Sequence, residues 1–216
     1  MAGVGQGFRS RLTARVIYIR SAGGTAVALV QCDLLSGSRI LHHKIASLIA
    51  GKTDVPARGL LLAGTHTHSG PGNYFSSNFY NICGKTRNLR MDAYRANFED
   101  IVDRGPDPLN AVNPVMTMIC VHLLNDKDWY RPAGAFSSFS IHPTAVPYIN
   151  AYYSADIFGY IAKSLETRLE KNYNTPWSMI HAVVNGTHGD NSPNYVTEVQ
   201  RLGHGPLAVY RLLPGP

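Results

Sequence analysis

The sequence predicts an α/β fold in which a mixed β-sheet, packed helices and long loops build one domain. Short apolar runs rich in β-branched residues alternate with segments of helical periodicity, the pattern expected when strands and helices follow each other. Hydrophobic residues make up 44% of the 216 residues, which is enough for a single core. Charged residues are only 16%, against about 25% in an average domain, while glycine and proline contribute 20 and 13 residues. A large share of the fold is therefore expected to be loop.

The first predicted element is a β-hairpin. Residues 13–20 and 25–32 form two apolar runs, and a Ser-Ala-Gly-Gly turn signal separates them. The helical spacing of isoleucine and leucine then predicts a helix over residues 38–50, which Gly51 would end. A loop leads from there to a short buried strand at residues 60–63.

The middle of the chain predicts one more helix and a pair of strands. Residues 88–102 fit a helix, and residues 104–114 must be a loop because they contain three prolines. Residues 115–121 and 135–141 have the apolar pattern of strands, with a polar turn between them.

The clearest helical pattern begins with Ser154 as the predicted N-cap and extends to about Tyr173. Asp156 lies in its first turn, where a negative charge interacts favourably with the helix dipole, and one face of the helix is apolar. A last strand is predicted at residues 178–184.

Chemically active side chains come directly after the predicted strands. The carboxyl ends of strands are where binding sites assemble in α/β sheets. Here these ends are followed by carboxylates, imidazoles and a hydroxyl, at Asp33, His66, His68, His142, Asp190 and Ser192. We therefore expect these side chains to meet in one cleft at the edge of the sheet.

The charge pattern excludes some partners. The formal net charge is +6, but the basic residues are dispersed, and no basic run indicates nucleic-acid binding. Moderate basicity fits contact with an anionic lipid surface, and it fits a merely basic soluble protein equally. The apolar runs are shorter than the ~20 residues of a membrane span, and no leader pattern follows Met1. Neither a transmembrane segment nor a signal peptide is therefore predicted.

Two histidines in one short motif are candidates for metal binding. His66 and His68 belong to a Thr-His-Thr-His-Ser-Gly-Pro-Gly segment, in which hydroxyls flank the imidazoles and a turn lets the backbone approach a bound group. Imidazole nitrogens are good zinc ligands. His142, followed by Pro143, would add a third imidazole. Each of these segments, like the Gly-Asp-Asn-Ser-Pro-Asn loop at residues 189–194, also fits an ordinary structural turn.

Taken together, the three segments resemble one family, the neutral/alkaline non-lysosomal ceramidases. The paired-histidine motif, the His-Pro-Thr segment after a strand and the Gly-Asp-Asn-Ser-Pro-Asn loop occur in that family's order and spacing. The opening segment at residues 3–15 and the Gln-Cys-Asp-Leu segment at residues 31–34 are similar as well. The likeness covers most of residues 3–205, and it implies that residues 1–216 are the N-terminal portion of a single, incomplete catalytic domain.

The resemblance implies a zinc-dependent amide hydrolase that cleaves N-acylsphingosine (ceramide) to sphingosine and a fatty acid. His66 and His142 would bind Zn²⁺, and His68 would lie beside the metal. Ser192 would be either a nucleophile or a hydroxyl that orients the substrate. Arg95 is the nearest counterpart of a family arginine that helps to fix the substrate.

A zinc-bound water is the favoured nucleophile, because zinc lowers the pKa of that water towards ~7 and His68 could then carry a proton to the leaving amine. At least one of Asp33 and Asp190 is expected to accept a hydrogen bond from a ring N–H, or from backbone amides of a neighbouring motif loop, and so to orient a ligand side chain. The family completes its zinc site with a glutamate and a tyrosine far downstream, which this sequence does not contain. Activity is therefore in question unless His188, Asp190 or water takes their place.

Two other functions remain open at this stage. The substrate of the amidase could be another N-acyl compound, since no segment of the sequence identifies a lipid pocket. The chain could also be a non-catalytic remnant or a binding module. The resemblance suggests a secreted or membrane-surface location, and the sequence does not settle the compartment.

Overall fold

The structure is a computed structural model, and it describes residues 5–76, 115–124, 130–146 and 150–188. In chain order its elements are β1 (Gly7–Phe8), β2 (Ala14–Ile19), β3 (Val27–Cys32), α1 (Arg39–Ile49), β4 (Leu60–Gly64), β5 (Thr117–Leu124), β6 (Tyr130–Phe139), β7 (Tyr152–Tyr153), α2 (Asp156–Tyr173) and β8 (Ile180–Asn185). The helix predicted over 88–102 and the loop predicted over 104–114 lie outside the described residues.

The first sheet has the order β2-β3-β4. Strands β2 and β3 are antiparallel, with Val16 opposite Val30, so the predicted hairpin is confirmed. Strand β4 joins β3 in parallel, because α1 carries the chain back across the sheet between them. Ile45 and Ile49 of α1 pack against a small core that includes Ala28, Val30 and Leu60.

The ends of α1 follow from its sequence. The side chain of Ser38 accepts a hydrogen bond from the N–H of Leu41 at 3.1 Å, which satisfies one of the donors left open at the start of a helix. The helix ends at Ile49, and Gly51 takes a φ of +73°, a left-handed conformation that glycine adopts without strain. The predicted helix over 38–50 is confirmed.

The second sheet has the order β5-β6-β8. Strands β5 and β6 are antiparallel, and β6 and β8 are parallel with α2 as the connection between them. Phe158 and Ala162 of α2 are almost fully buried against Val183 of β8. The described strands thus form two mixed three-stranded sheets and a short parallel pair, β1 and β7, within the expected α/β architecture.

The start of α2 differs from the prediction. Ala155 occupies the N-cap position, and Ser154 lies one residue before it. The hydroxyl of Ser154 accepts from the N–H of Asp156, while the N–H of Ile157 donates to the carboxylate of Asp156 itself. Asp156 has a φ of +52°, so the chain turns sharply there and the helix begins one residue later than a Ser154 cap would require.

A buried ion pair ties the two sheets together. Arg15 of β2 donates to Glu166 of α2 at 2.7 Å, and both side chains are only 9% exposed. The same carboxylate accepts from the N–H of His181 in β8 at 3.0 Å. The charges are therefore compensated inside the fold, and the contact fixes how the second sheet lies beside the first.

Across the described ranges, neither α1 nor α2 combines the length and the apolar character that a bilayer-spanning helix needs.

Candidate metal centre

Four imidazoles meet where the strands end. His66 and His68 follow β4, His142 follows β6 and His188 follows β8. The ring centre of His66 lies 5.1 Å from that of His68, 4.8 Å from that of His142 and 4.3 Å from that of His188. The predicted convergence of His66, His68 and His142 is confirmed, although 76 residues separate the first from the last in sequence.

The position of His66 depends on a tight turn after β4. Its φ is +64°, which is uncommon for a residue with a side chain and costs of order 1–3 kcal/mol. Its N–H donates to the carbonyl of Leu34 at 2.9 Å, and the N–H of Thr65 donates to the carbonyl of Cys32. These bonds hold the strained backbone against the end of β3, and the ring then points into the cluster.

Three of the four rings offer nitrogens to a common point. One nitrogen each from His66, His142 and His188 lies within 4.8 Å of the others. Nitrogens bound to one tetrahedral zinc ion are about 3.3 Å apart, because each Zn–N bond is ~2.0–2.1 Å long. A contraction of the loops by about 1 Å or less would therefore suit an ion.

The hydrogen bonds of these three rings place the proton of each ring on Nδ1, so that Nε2 is the nitrogen that can bind a metal. Each Nδ1 lies against a backbone carbonyl: Leu35 for His66 at 2.7 Å, His188 for His142 at 3.3 Å, and Gly186 for His188 at 2.8 Å. A carbonyl only accepts, so each Nδ1 carries the proton and each Nε2 keeps its lone pair. Backbone carbonyls orient metal-binding histidines in this way. The residues present therefore fit a divalent transition metal.

The protonation state suits a metal as well. Burial, with the charge of His188, lowers the pKa of His66 to about 4. Burial, with the charges of His66 and His188, lowers the pKa of His142 to about 3. Both rings are therefore neutral near pH 7, and only the neutral imidazole has the lone pair that a metal needs.

His68 contacts the cluster from its side. Its Nε2 lies 2.9 Å from the Nε2 of His142. Since the proton of His142 is on Nδ1, the Nε2–H of His68 is the donor in this bond. Burial and the three neighbouring imidazoles hold the pKa of His68 well below its ordinary value. A metal on His142 would take the lone pair that His68 now uses, and the N–H of His68 would turn to another acceptor.

Asp33 supports the turn that positions His66, and the hydrogen bonds of its carboxylate go to Thr13 and Gln31. It is buried, and its carboxylate accepts from the N–H and the hydroxyl of Thr13, both at 2.8 Å, and from Gln31 at 3.1 Å. These bonds connect Asp33 to the residue just before β2 and to β3, and Asp190, for which a similar role is predicted, lies outside the described residues. Asp33 still anchors the turn whose next carbonyls, those of Leu34 and Leu35, hold His66.

Comparison with known proteins matches this arrangement to one family. Residues 1–104 match the family described as neutral/alkaline non-lysosomal ceramidase, N-terminal. The N-terminal part of the chain is therefore similar to neutral/alkaline non-lysosomal ceramidases. The match covers Asp33 and the paired-histidine motif with His66 and His68, and it ends before His142.

Curated ceramidases are similar over most of this chain. Neutral ceramidase 1 of Arabidopsis thaliana is 24% identical over 207 residues, which cover 80% of this chain and 27% of that protein. Neutral ceramidase of Oryza sativa subsp. japonica is 22% identical over 205 residues, covering 78% of this chain and 26% of that protein. The chain thus spans about a quarter of the length of these relatives.

Solved ceramidase structures share the fold. A ceramidase complexed with C2 superposes with a TM-score of 0.64 at 21% identity, over 97% of this chain and 38% of that chain. Neutral ceramidase from Pseudomonas aeruginosa superposes with a TM-score of 0.65 at 22% identity, over 95% of this chain and 36% of that chain. These superpositions show that the chain shares the α/β fold of part of each of these ceramidases.

A cleft of about 480 Å³ opens beside the histidine cluster. Its wall on the strand side includes His66, His188 and Asn185, and its opposite wall is the start of α1 with Ser38 and Arg39. The side-chain oxygen of Asn185 is buried without a hydrogen-bond partner, which marks an unsatisfied polar atom close to the cluster.

Sequence reasoning treated His188 only as a stand-in ligand, whereas the structure places its ring among the other three. The signal was present in its position: His188 is the third residue after β8, as His68 and His142 closely follow their own strands. Of the other predicted site residues, Arg95, Asp190 and Ser192 lie outside the described residues.

Proposed function

We propose that residues 1–216 are the N-terminal part of a ceramidase-type amide hydrolase that cleaves N-acylsphingosine to sphingosine and a fatty acid. The observation that carries this proposal is the triad of His66, His142 and His188 with His68 hydrogen-bonded at its side. The match to the ceramidase family model supports the amide chemistry, and the names of the relatives support ceramide as the substrate class.

We propose Zn²⁺ as the metal of this centre. His66 and His142 would hold it through Nε2, and His188 would be the third ligand from this chain. All three donors are imidazole nitrogens, a ligand set that suits zinc, and three protein ligands leave a coordination position open, as in catalytic zinc sites. When bound, the ion supplies Lewis-acid chemistry, lowering the pKa of a water ligand and polarising an amide carbonyl.

His68 is the proposed proton carrier. Its Nε2–H is directed at the cluster, and burial holds its pKa well below the ordinary value, which keeps the ring neutral near pH 7. A neutral imidazole donates from one ring nitrogen and accepts at the other, so His68 can hold a proton on the way to the leaving nitrogen of an amide. Amide cleavage requires that proton, because an unprotonated amine anion is a very poor leaving group.

Ser192 and Arg95 are proposed to act on the substrate. Ser192 would orient the amide or attack it, and Arg95 would bind the polar part of the sphingoid base. Asp190, two residues after His188, is proposed to orient a ligand or the Ser192 loop. A secreted or membrane-surface location fits a substrate that resides in bilayers, and it stays part of the proposal.

Metal analysis tests the site independently of turnover. The purified 216-residue chain should bind one equivalent of zinc. His66→Ala and His142→Ala should each abolish binding, since each removes a proposed ligand. His43→Ala is the matched control, because His43 is an exposed histidine of α1 outside the cluster. Zinc binding that survives both His66→Ala and His142→Ala would refute the proposed metal centre.

The substrate is tested separately. Ceramide in mixed micelles and an N-acyl amino acid should be offered to the zinc-loaded chain, with release of the fatty acid as the readout. Hydrolysis of ceramide supports the proposal. Hydrolysis of the N-acyl amino acid alone would assign the other amidase function, and zinc binding without any hydrolysis would favour a non-catalytic module.

A further inference from the structure

Residues 154–156, at the start of α2, contact the loop that carries His66 and His68. The hydroxyl of Thr67 donates to the carbonyl of Ser154 at 2.6 Å, and the N–H of Ser154 donates to the carbonyl of Ser69 at 3.0 Å. Thr67 is 1% exposed and Ser154 4% exposed, so water does not compete for these bonds. The paired-histidine loop is therefore attached to the start of α2.

The same segment contacts the loop that carries His142. The carboxylate of Asp156 accepts from the N–H of Ala145 at 3.2 Å and from the N–H of Val146 at 3.0 Å. These are the third and fourth residues after His142. Asp156 is 9% exposed, and its carboxylate also accepts from the N–H of Ile157 at 2.7 Å. One buried carboxylate thus fixes the path of the chain after His142.

The two histidine loops come from different sheets. His66 follows β4 of the first sheet and His142 follows β6 of the second, so no shared strand pairing sets the distance between their rings. The segment 154–156 contacts both loops. Its own backbone is strained at Asp156, with a φ of +52°, and such strain persists only where surrounding contacts hold it.

We propose that Asp156 is a positioning residue that holds the His142 loop in register with the His66 and His68 loop, and so sets the metal affinity of the centre. This inference rests on the metal site proposed above. A ligand pair that is held at the right separation before the ion arrives loses less freedom on binding, whereas loops that move independently must be ordered by the ion itself.

Three substitutions of Asp156 separate its hydrogen bonds from its backbone strain. Asp156→Ala removes all three accepted bonds. Asp156→Gly removes the same bonds but tolerates a positive φ without strain. Asp156→Asn tolerates that φ too and keeps one acceptor oxygen. Glu170→Ala is the control, because Glu170 also accepts a backbone N–H, from Met179 at 2.9 Å, but lies about 21 Å further along the same helix.

The readout is metal affinity, measured by Co²⁺ absorbance and by Zn²⁺ competition with a chelator, with the unfolding midpoint recorded for each variant. Asp156→Ala and Asp156→Gly should weaken binding by about 10–100-fold, the range found when groups that orient ligands are removed, and Asp156→Asn should weaken it less. Glu170→Ala should lower the unfolding midpoint and leave affinity unchanged. Equal affinity in wild type and Asp156→Gly, or an equal loss in Glu170→Ala, would overturn the inference.

A second measurement is needed in case the Asp156→Ala or Asp156→Gly variant does not fold, or the chain binds no metal. It uses the more conservative Asp156→Asn variant and requires no metal. Hydrogen exchange on the metal-free chain should be faster in Asp156→Asn at Ala145 and Val146, and also at the N–H of Ser69, which belongs to the other loop and donates to Thr67. Faster exchange at Ser69 supports coupling of the loops. Unchanged exchange at Ser69 would refute the coupling of the two loops. This result does not depend on metal binding, so it can be distinguished from failure of the proposed metal centre, which a wild-type chain that binds no zinc would show.

Discussion

Replacing His188 by alanine tests whether a third imidazole of this chain serves the metal. The substitution removes the ring but keeps the backbone carbonyl of residue 188, which accepts from Nδ1 of His142. The orientation of His142 is therefore preserved, and the variant reports on the His188 ring itself. The substitution therefore separates loss of the His188 ring from loss of the carbonyl that orients His142.

The expected magnitude follows from the number of ligands. Structural zinc sites with four protein ligands bind with about 10–16 kcal/mol at pH 7, which is about 2.5–4 kcal/mol for each ligand. Loss of one of three ligands should therefore weaken zinc binding by about 10²–10³-fold, since 1.4 kcal/mol corresponds to a factor of ten. The ring centres of His188 and His66 are 4.3 Å apart, so the His188 ring needs little movement to bind the same ion as His66.

The assay is competition for Zn²⁺ against a chromophoric chelator at pH 7.5, with His43→Ala as the exposed-histidine control. The same affinity in His188→Ala and wild type, together with loss of binding in His66→Ala, would show that His188 is only a neighbour of the ion. The proposed three-histidine centre would then be wrong, and a two-histidine site completed by other groups would replace it.

Three further predictions concern other parts of the molecule. Asp33→Asn should weaken zinc binding by about 10-fold, because the turn that holds His66 loses its anchor on Thr13; unchanged affinity in the same competition assay would remove Asp33 from the site. Ser192→Ala should leave zinc bound and cut turnover by about 10²–10³-fold if the hydroxyl orients substrate, or abolish turnover and the pre-steady-state burst if it is the nucleophile; unchanged kcat and KM would exclude both roles. Burial lowers the pKa of His181 below 6.5, so below that pH the unfolded chain takes up a proton that the folded chain resists, and stability falls as pH falls. In urea titrations between pH 7 and 5, His181→Gln should lack this contribution, which is at most about 1.4 kcal/mol per pH unit; identical pH profiles would contradict it.

Local signals predicted most of the described elements. The hairpin, α1 with its Ser38 cap, β4 and the β5–β6 pair each follow from the apolar pattern and turn residues of a short segment, so few distant contacts are needed to specify them. The cap of α2 is the exception. Ser154 has the right side chain for a cap, but its carbonyl and N–H are bonded to the paired-histidine loop, and the helix starts at Asp156 with Ala155 as the N-cap.

The sequence by itself determined which residues are candidates for the chemistry. His66, His68 and His142 stand after strand ends because strand patterns stop there, and strand ends of an α/β fold share an edge. Family resemblance rested on the same short motifs, which are readable without coordinates.

Only the tertiary structure decided how those residues work together. The bond from His68 to His142, the entry of His188 into the cluster and the indirect action of Asp33 all join segments that are far apart in sequence. Which nitrogen carries a proton depends on which carbonyl lies beside it, and such pairings arise from the packing of two sheets. Periodicity specifies the face on which a side chain lies, but it contains no information about which distant atom that face will meet.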